Sequence, residues 1–360
     1  MFEANHTQAQ EQQALAVDTT AGGTGIKSTR AAGNIGSRAR KSSRLLSLAL
    51  QGGGSFGAFT WGFLDRLLEE NVALDVVSGA SAGAMNAVLL ADGLAAGGNE
   101  GARERLGQFW HKLAHAGPSL PVGSGHGRGM AALFELSTRL ASPYQVNPLG
   151  LNPLRQLLTE EVDFERLRAE SPVRLLIAAT RVKDGRLRLF REDEITAEVV
   201  LASACLPFLH HAIEIDGEAY WDGGYTANPP LRQLVLDSKA RDVILVQLMA
   251  DEHGGVPHLS PEISRRMLEI AFATSLQKEL EALDDLRDVC RHSLTLSPVC
   301  RKLQHLRLHR VSASDNVEHL ERESALDTSW SLIARLRERG RVAAQEWVGK
   351  NPASRRARAG

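Results

Sequence analysis

An α/β fold with a mostly parallel sheet is what this sequence predicts, and three stretches carry the prediction. Leu45 to Leu50 is an apolar run of strand length. It ends in Gln51-Gly-Gly-Gly-Ser-Phe-Gly57 and passes into an amphipathic helix whose apolar set is Phe59, Phe63, Leu64, Leu67 and Leu68. Strand, glycine loop and helix make a crossover unit, which calls for a parallel neighbour. A second buried strand ending at Ser78 supplies one, and Val243 to Met249 reads as a further buried strand.

The remaining elements follow in order. Residues 1–43 are rich in Ala, Gly, Thr, Gln and Ser and lack apolar periodicity, so they read as a disordered tail. Its later part is basic, through Lys27, Arg30, Arg38, Arg40 and Lys41, and is either solvated or set against anionic lipid head groups. The main domain is expected over 44–250. After the second strand come a helix from Ala82 to about Leu90 and another marked by Leu106, Phe109, Trp110 and Leu113. Residues 117–153 form a Gly- and Pro-rich interruption around a short apolar helix near Met130 to Leu140. Such an insertion is a lid or binding loop, or a surface insertion with no role.

Val173 to Thr180 reads as a strand, Lys183-Asp-Gly-Arg186 as a hairpin turn and Leu187 to Phe190 as its return. A helix from Ile195 to Ala204 precedes a second hairpin, Ile213 to Trp221, which closes on Asp222-Gly223-Gly224. Residues 251–350 are expected to be a mainly helical extension packed on the domain, and 351–360 a basic tail. In its last helix Trp330, Ile333, Leu336 and Trp347 share a face, which either caps the core or meets a membrane.

Bulk composition narrows the function classes. The 360 residues are 43% hydrophobic and 24% charged with a net charge of −1, so nucleic acid is not an expected partner. Cys205, Cys290 and Cys300 form no CxxC pair; neither a disulfide framework nor a zinc site is expected, and a reducing compartment fits. No apolar run has the length of a membrane span and no signal peptide opens the chain, so the expectation is a cytoplasmic protein, with peripheral membrane contact still open. No cofactor or metal is called for.

The chemistry sits in three motifs. Gly79-Ala-Ser81-Ala-Gly83 is a nucleophile-elbow pattern: a serine on a tight strand-to-helix turn needs small neighbours, and the helix N-terminus beneath it favours negative charge. Gly52-Gly53-Gly54-x-x-Gly57, between strand and helix, suits a dinucleotide loop or a nest of amides for an oxyanion. The oxyanion reading is favoured because the second strand ends in the elbow serine, with no acidic residue placed to read a ribose. A serine needs a base. Asp222, before Gly223-Gly224, is the better candidate; a triad of Ser81 and Asp222 with His253 or His258 is the alternative.

These three motifs together resemble the patatin-like lipid acyl hydrolases, whose markers are a GGGxxG loop, a GxSxG elbow and a DG[AG] triplet. The run Ala202-Ser-Ala-Cys-Leu-Pro207 is also similar, and the resemblance covers roughly Leu45 to Met249. It implies a three-layer α/β/α fold, Ser81 as nucleophile, Asp222 as its one partner and the amides of Gly52, Gly53 and Gly54 around the oxyanion. The expected reaction is hydrolysis of phospholipid or other lipid esters through an acyl-enzyme. A thioesterase or polyester depolymerase would use the same machinery, and a non-catalytic membrane-surface binder is the non-enzymatic alternative.

Overall fold

The computed structural model describes residues 44–70, 72–116, 142–249, 255–291, 297–317, 320 and 323–351. The expected tail at 1–43, all of the expected tail at 351–360 except Asn351, and the helix near Met130 to Leu140 lie outside these residues. Among the described residues eight strands form one mixed sheet: β1 Leu45–Leu50, β2 Ala73–Gly79, β3 Arg174–Arg181, β4 Leu187–Arg191, β5 Ile213–Ile215, β6 Glu218–Asp222, β7 Asp242–Gln247 and β8 Arg307–Ser312. Five of them run parallel in the order β8-β7-β1-β2-β3. Strands β4 and β6 pair antiparallel with β3, and β5 pairs antiparallel with β6.

The helices are α1 Gly57–Leu68, α2 Ala82–His115, α3 Pro143–Val146, α4 Pro153–Glu161, α5 Phe164–Glu170, α6 Ala197–Ser203, α7 Leu231–Asp237, α8 Ser260–Arg291, α9 Pro298–His305 and α10 Trp330–Lys350. Because strand side chains alternate faces, the parallel strands feed two cores. Leu46, Leu48, Leu50, Val77, Ile177, Ile244 and Val246 pack under α1, α2 and α10. Ala49, Val76, Leu176, Val243 and Leu245 pack on α7, α8 and α9. The result is the expected three-layer α/β/α sandwich.

Several local expectations change. The two helices expected after the elbow are both present: Ala82–His115 is broken by non-helical backbone at Gly97 and at Gly98, which holds a φ of 63°, and only the end of the first, beyond Leu90, differs from the expectation. The apolar face of α10 is core, since Ile333, Leu336 and Trp347 are all buried; the membrane-facing alternative for that helix falls. Cys290 and Cys300 are joined by a disulfide between the end of α8 and the start of α9. The expectation of no disulfide is thereby corrected, and cysteine usage no longer argues for a reducing compartment. Among the described residues no helix is long and apolar enough to cross a membrane.

Strand β8 has no counterpart among the elements expected from the sequence. His305 is exposed, but His309 lies on β8, half-buried, with Nε2 2.9 Å from Asp242 Oδ1. Asp242 opens β7 and also accepts from Arg44 Nε at 2.7 Å and Arg307 Nη2 at 2.6 Å. It thus ties the start of β1 to the edge strand. Burial alone would raise its pKa; the hydrogen bonds from Arg44, His309 and Arg307 overcome that and hold it down to about 2.

A depressed acid stabilises the fold above its unfolded pKa, and the contribution fades as pH falls through the folded one. Asp242→Asn is therefore expected to melt below wild type at pH 7. The gap should close as both are acidified from about pH 4 towards 2. Melting curves across that range test this, and a gap that does not change with pH would contradict it.

Candidate functional site

Strand pairing brings the distant motifs together. Leu50 at the end of β1 is in register with Gly79 at the end of β2, so the glycine loop and the elbow leave the sheet side by side. On β3, Ile177 pairs with Gly79 and Ala179 with Asp222, while β4 occupies the other edge over the same residues. Strands β2 and β6 therefore follow one another along a single edge of β3. Their ends, Gly79 and Asp222, are held about 7 Å apart by the two-residue repeat of the strand.

Ser81 has φ 54° and ψ −125°, a backbone state that a residue with a Cβ adopts only under constraint. The constraint is visible: its N–H donates to both the carbonyl oxygen of Ser203, at 3.1 Å, and the Ser203 hydroxyl, at 3.0 Å. The small neighbours are also required. A Cβ on Gly79 would lie 2.5 Å from the Gly83 carbonyl, and one on Gly83 would lie 2.0 Å from the Leu50 carbonyl oxygen. Helix α2 starts directly behind the serine, with the Met85 amide donating to the Ser81 carbonyl at 3.1 Å. The side chain is left at the positive end of a helix dipole.

Asp222 is fully buried. Its N–H donates to the Cys205 carbonyl at 2.8 Å, and its carbonyl accepts from the Thr180 hydroxyl at 2.8 Å, so its backbone is fixed on both sides. Oδ1 accepts the Gly224 N–H at 2.8 Å. A Cβ on Gly223 would meet the Ala178 carbonyl oxygen at 2.2 Å, and one on Gly224 the Phe272 ring at 2.8 Å, which explains both glycines. Burial pushes the carboxyl up to about 7, against the opposing pull of the Gly224 amide and of the Ser81 hydroxyl. The Ser81 hydroxyl is thus a neighbour that the carboxyl senses, yet Oδ2 has no partner within full hydrogen-bond geometry among the described residues. The two groups are therefore neighbours without a closed hydrogen bond.

The glycine loop lies against the elbow. A Cβ on Gly52 would be 2.8 Å from both the Ala80 carbonyl oxygen and the Ser81 Cβ. A Cβ on Gly57 would be 2.8 Å from the Ala82 Cβ. One expectation is corrected here. The Gly52 amide is not free: it donates to the Asn228 Oδ1 at 2.7 Å. The Ser55 amide donates to the Ala325 carbonyl at 2.8 Å. The amides of Gly53 and Gly54, between them, make no hydrogen bond among the described residues.

No histidine among the described residues bonds Ser81 or Asp222. His258 is exposed ahead of α8, and His253 lies outside the described residues. His211 stacks on Tyr144 with ring centroids 4.0 Å apart and sets its Nε2 3.2 Å from the Pro143 carbonyl oxygen. The sequence reading did not single out Asn228 or Ser203 as site residues, nor Gln51, whose Oε1 accepts the Leu248 and Met249 amides at 2.7 and 2.9 Å. Ser203 sits in the run Ala202 to Pro207 already noticed, and Asn228 heads an Asn-Pro-Pro turn six residues after Asp222. Asn86 was missed as well: it bonds the Gly57 carbonyl at 3.0 Å and receives the Trp110 indole N–H at 3.0 Å, joining the loop helix to the elbow helix.

The family model described as patatin-like phospholipase matches residues 48–235, just over half of the chain. No curated protein matches it. Among solved structures, VipD from Legionella pneumophila is 17% identical with a TM-score of 0.43, over 86% of this chain and 67% of that one. The type III effector protein ExoU is 15% identical with a TM-score of 0.33, over 86% of this chain and 53% of that one. The heterodimeric ExoU–SpcU complex from the type III secretion system of Pseudomonas aeruginosa is 15% identical with a TM-score of 0.25, over 67% of this chain and 51% of that one. The chain thus spans about half the length of these last two.

Proposed function

From the premise that this chain belongs to the patatin-like phospholipase family, we propose that it is a lipid acyl hydrolase working through a Ser81–Asp222 dyad. The observation that carries the reading is a serine in a constrained positive-φ turn beside a fully buried carboxylate whose pKa burial raises to about 7. A carboxylate at its usual acidity is too weak a base for a serine; one near neutrality is matched to the task.

In the proposed sequence the Ser81 Oγ attacks the ester carbonyl carbon as its proton passes to Asp222 Oδ2, the oxygen without a hydrogen-bond partner among the described residues. The negative charge that develops on the carbonyl oxygen is met by the unengaged amides of Gly53 and Gly54 and by the N-terminus of α2. The C–O bond to the alcohol then breaks, and Asp222 returns the proton to the leaving oxygen. Water, deprotonated in turn by Asp222, attacks the acyl carbon; the bond to Ser81 Oγ then breaks as Asp222 gives that proton to Oγ, releasing the fatty acid and restoring both groups. Apolar exposure supports a lipid substrate. Phe208 is 72% exposed, in the segment that follows the Cys205 contact to Asp222. Leu149 and Leu151, 81% and 68% exposed, lie in the segment that stacks on His211 through Tyr144.

The test is direct. Wild type should release p-nitrophenol from medium-chain esters and take up a fluorophosphonate probe covalently. Ser81→Ala should do neither while keeping its melting temperature. Probe uptake that persists in Ser81→Ala would remove Ser81 from the role of nucleophile.

A further inference from the structure

We propose that Asn228 is a positioning residue for the oxyanion cradle: its side-chain oxygen holds the Gly52 amide and so sets where the next two amides, of Gly53 and Gly54, stand. The inference rests on the dyad reading above. Three observations meet at one point. The Gly52 N–H donates to Asn228 Oδ1 at 2.7 Å, and Asn228 is fully buried. The position a Gly52 Cβ would occupy is 3.0 Å from that oxygen and 2.8 Å from the Ser81 Cβ. Asn228 Nδ2 has no partner among the described residues. The orientation of the carboxamide is therefore not arbitrary, because turning it over would face a donor against the Gly52 donor.

The rest of the loop is anchored independently of Asn228. The Gln51 amide donates to the Val246 carbonyl at 3.0 Å, and its side chain accepts the amides that follow β7. Beyond Gly54, the Ser55 amide is held by Ala325. Asn228 is the one side chain among the described residues that bonds the stretch of three glycines between these anchors. Glycines carry the widest conformational freedom of any residue. With the ends fixed and the middle released, Gly53 and Gly54 would wander from the place an oxyanion forms, while the sheet and the elbow stay intact. Asn228 also shares one short segment with Asp222, so a single stretch of chain places both the base and the cradle.

The experiment compares the full chain with Asn228→Ala and Asn228→Asp, the latter keeping an acceptor oxygen. The readouts are medium-chain ester turnover, the rate of fluorophosphonate labelling, and melting temperature. In Asn228→Ala, kcat should fall about 100-fold, the size of losing an oxyanion donor, with labelling slowed in parallel and KM within about threefold. Asn228→Asp should recover at least about tenfold of that loss, which a purely structural role would not give. A folded Asn228→Ala with wild-type or higher kcat overturns the proposal. If Asn228→Ala does not fold, the decision passes to Asn228→Asp: activity within about tenfold of wild type supports the proposal, and a folded protein as inactive as Ser81→Ala overturns it. A wild type that neither labels nor turns over would overturn the dyad reading and this one together. Wild-type activity with an unaffected Asn228→Ala overturns this one alone.

Discussion

Asp222→Asn is expected to lose ester turnover by on the order of 10³-fold and, above neutral pH, to be more stable than the wild type. Both effects come from the same burial. In the wild type the carboxyl is raised from 3.8 to about 7 because it is cut off from solvent. The folded state therefore holds a proton that the unfolded state releases between those two values. Stability falls as pH rises through that window, and the full cost of the buried charge is felt above it. The ceiling on that cost is on the order of 4 kcal/mol, from a shift of about three pKa units. Asparagine can keep the Gly224 N–H on its oxygen, but it turns a donor towards Ser81 and never ionises. Melting temperatures should therefore coincide near pH 4 and separate as pH rises to 8, with the variant higher. The wild-type kcat/KM should rise along an acid limb with an apparent pKa near 7, because the free enzyme must lose that proton before it can act as base. A melting gap that is absent or constant with pH would mean that Asp222 is not a carboxylate ionising in a buried site. Full activity in the variant would return the base to a histidine.

Why some of this was legible in the sequence, and some not, has a physical reason. The parallel strands are buried on both faces, so β1, β3 and β7 read as nearly unbroken apolar runs. The elbow and the Asp222 triplet are local: close backbone approach at Gly79, Gly83, Gly223 and Gly224 forces glycine within a few residues of Ser81 and Asp222. The engagement of Gly52 is not local. Its partner Asn228 is 176 positions away and carries no spacing signal of its own. Strand β8 hides for another reason. An edge strand bearing Arg307, His309 and Arg310 looks like a charged surface stretch until Asp242 is placed beside it. The disulfide depends on α8 and α9 folding back on each other, so ten residues of separation between Cys290 and Cys300 predicted nothing.

The second large effect concerns α10, which the family match does not reach but on which the loop helix depends. Helices α1 and α10 meet backbone to backbone through two reciprocal notches. A Cβ on Gly62 of α1 would lie 1.9 Å from the Arg337 carbonyl oxygen, and one on Gly340 of α10 would lie 2.0 Å from the Phe59 carbonyl oxygen. Beside the notch Asp65 accepts from Arg337 Nη2 at 2.9 Å, and from Arg103 Nε of α2 at 2.8 Å, with Arg341 also paired to it. The charges are thus placed for helices in near contact. Gly62→Ala must part the helices or bend one of them, and overpacking of this kind costs about 3 kcal/mol. Gly340→Ala should cost about as much. The double variant should cost clearly less than the sum, since a helix pair already separated by one methyl has room for the second. Because α1 begins at Gly57, the last glycine of the loop beside Ser81, the parted helices should also lower kcat in the folded fraction. Denaturant unfolding of the two single variants and the double variant measures the coupling. Strict additivity, or single losses below about 0.5 kcal/mol, would show that the helices do not bear on each other here, and α10 would then be an appendage rather than part of the layer that holds the loop in place.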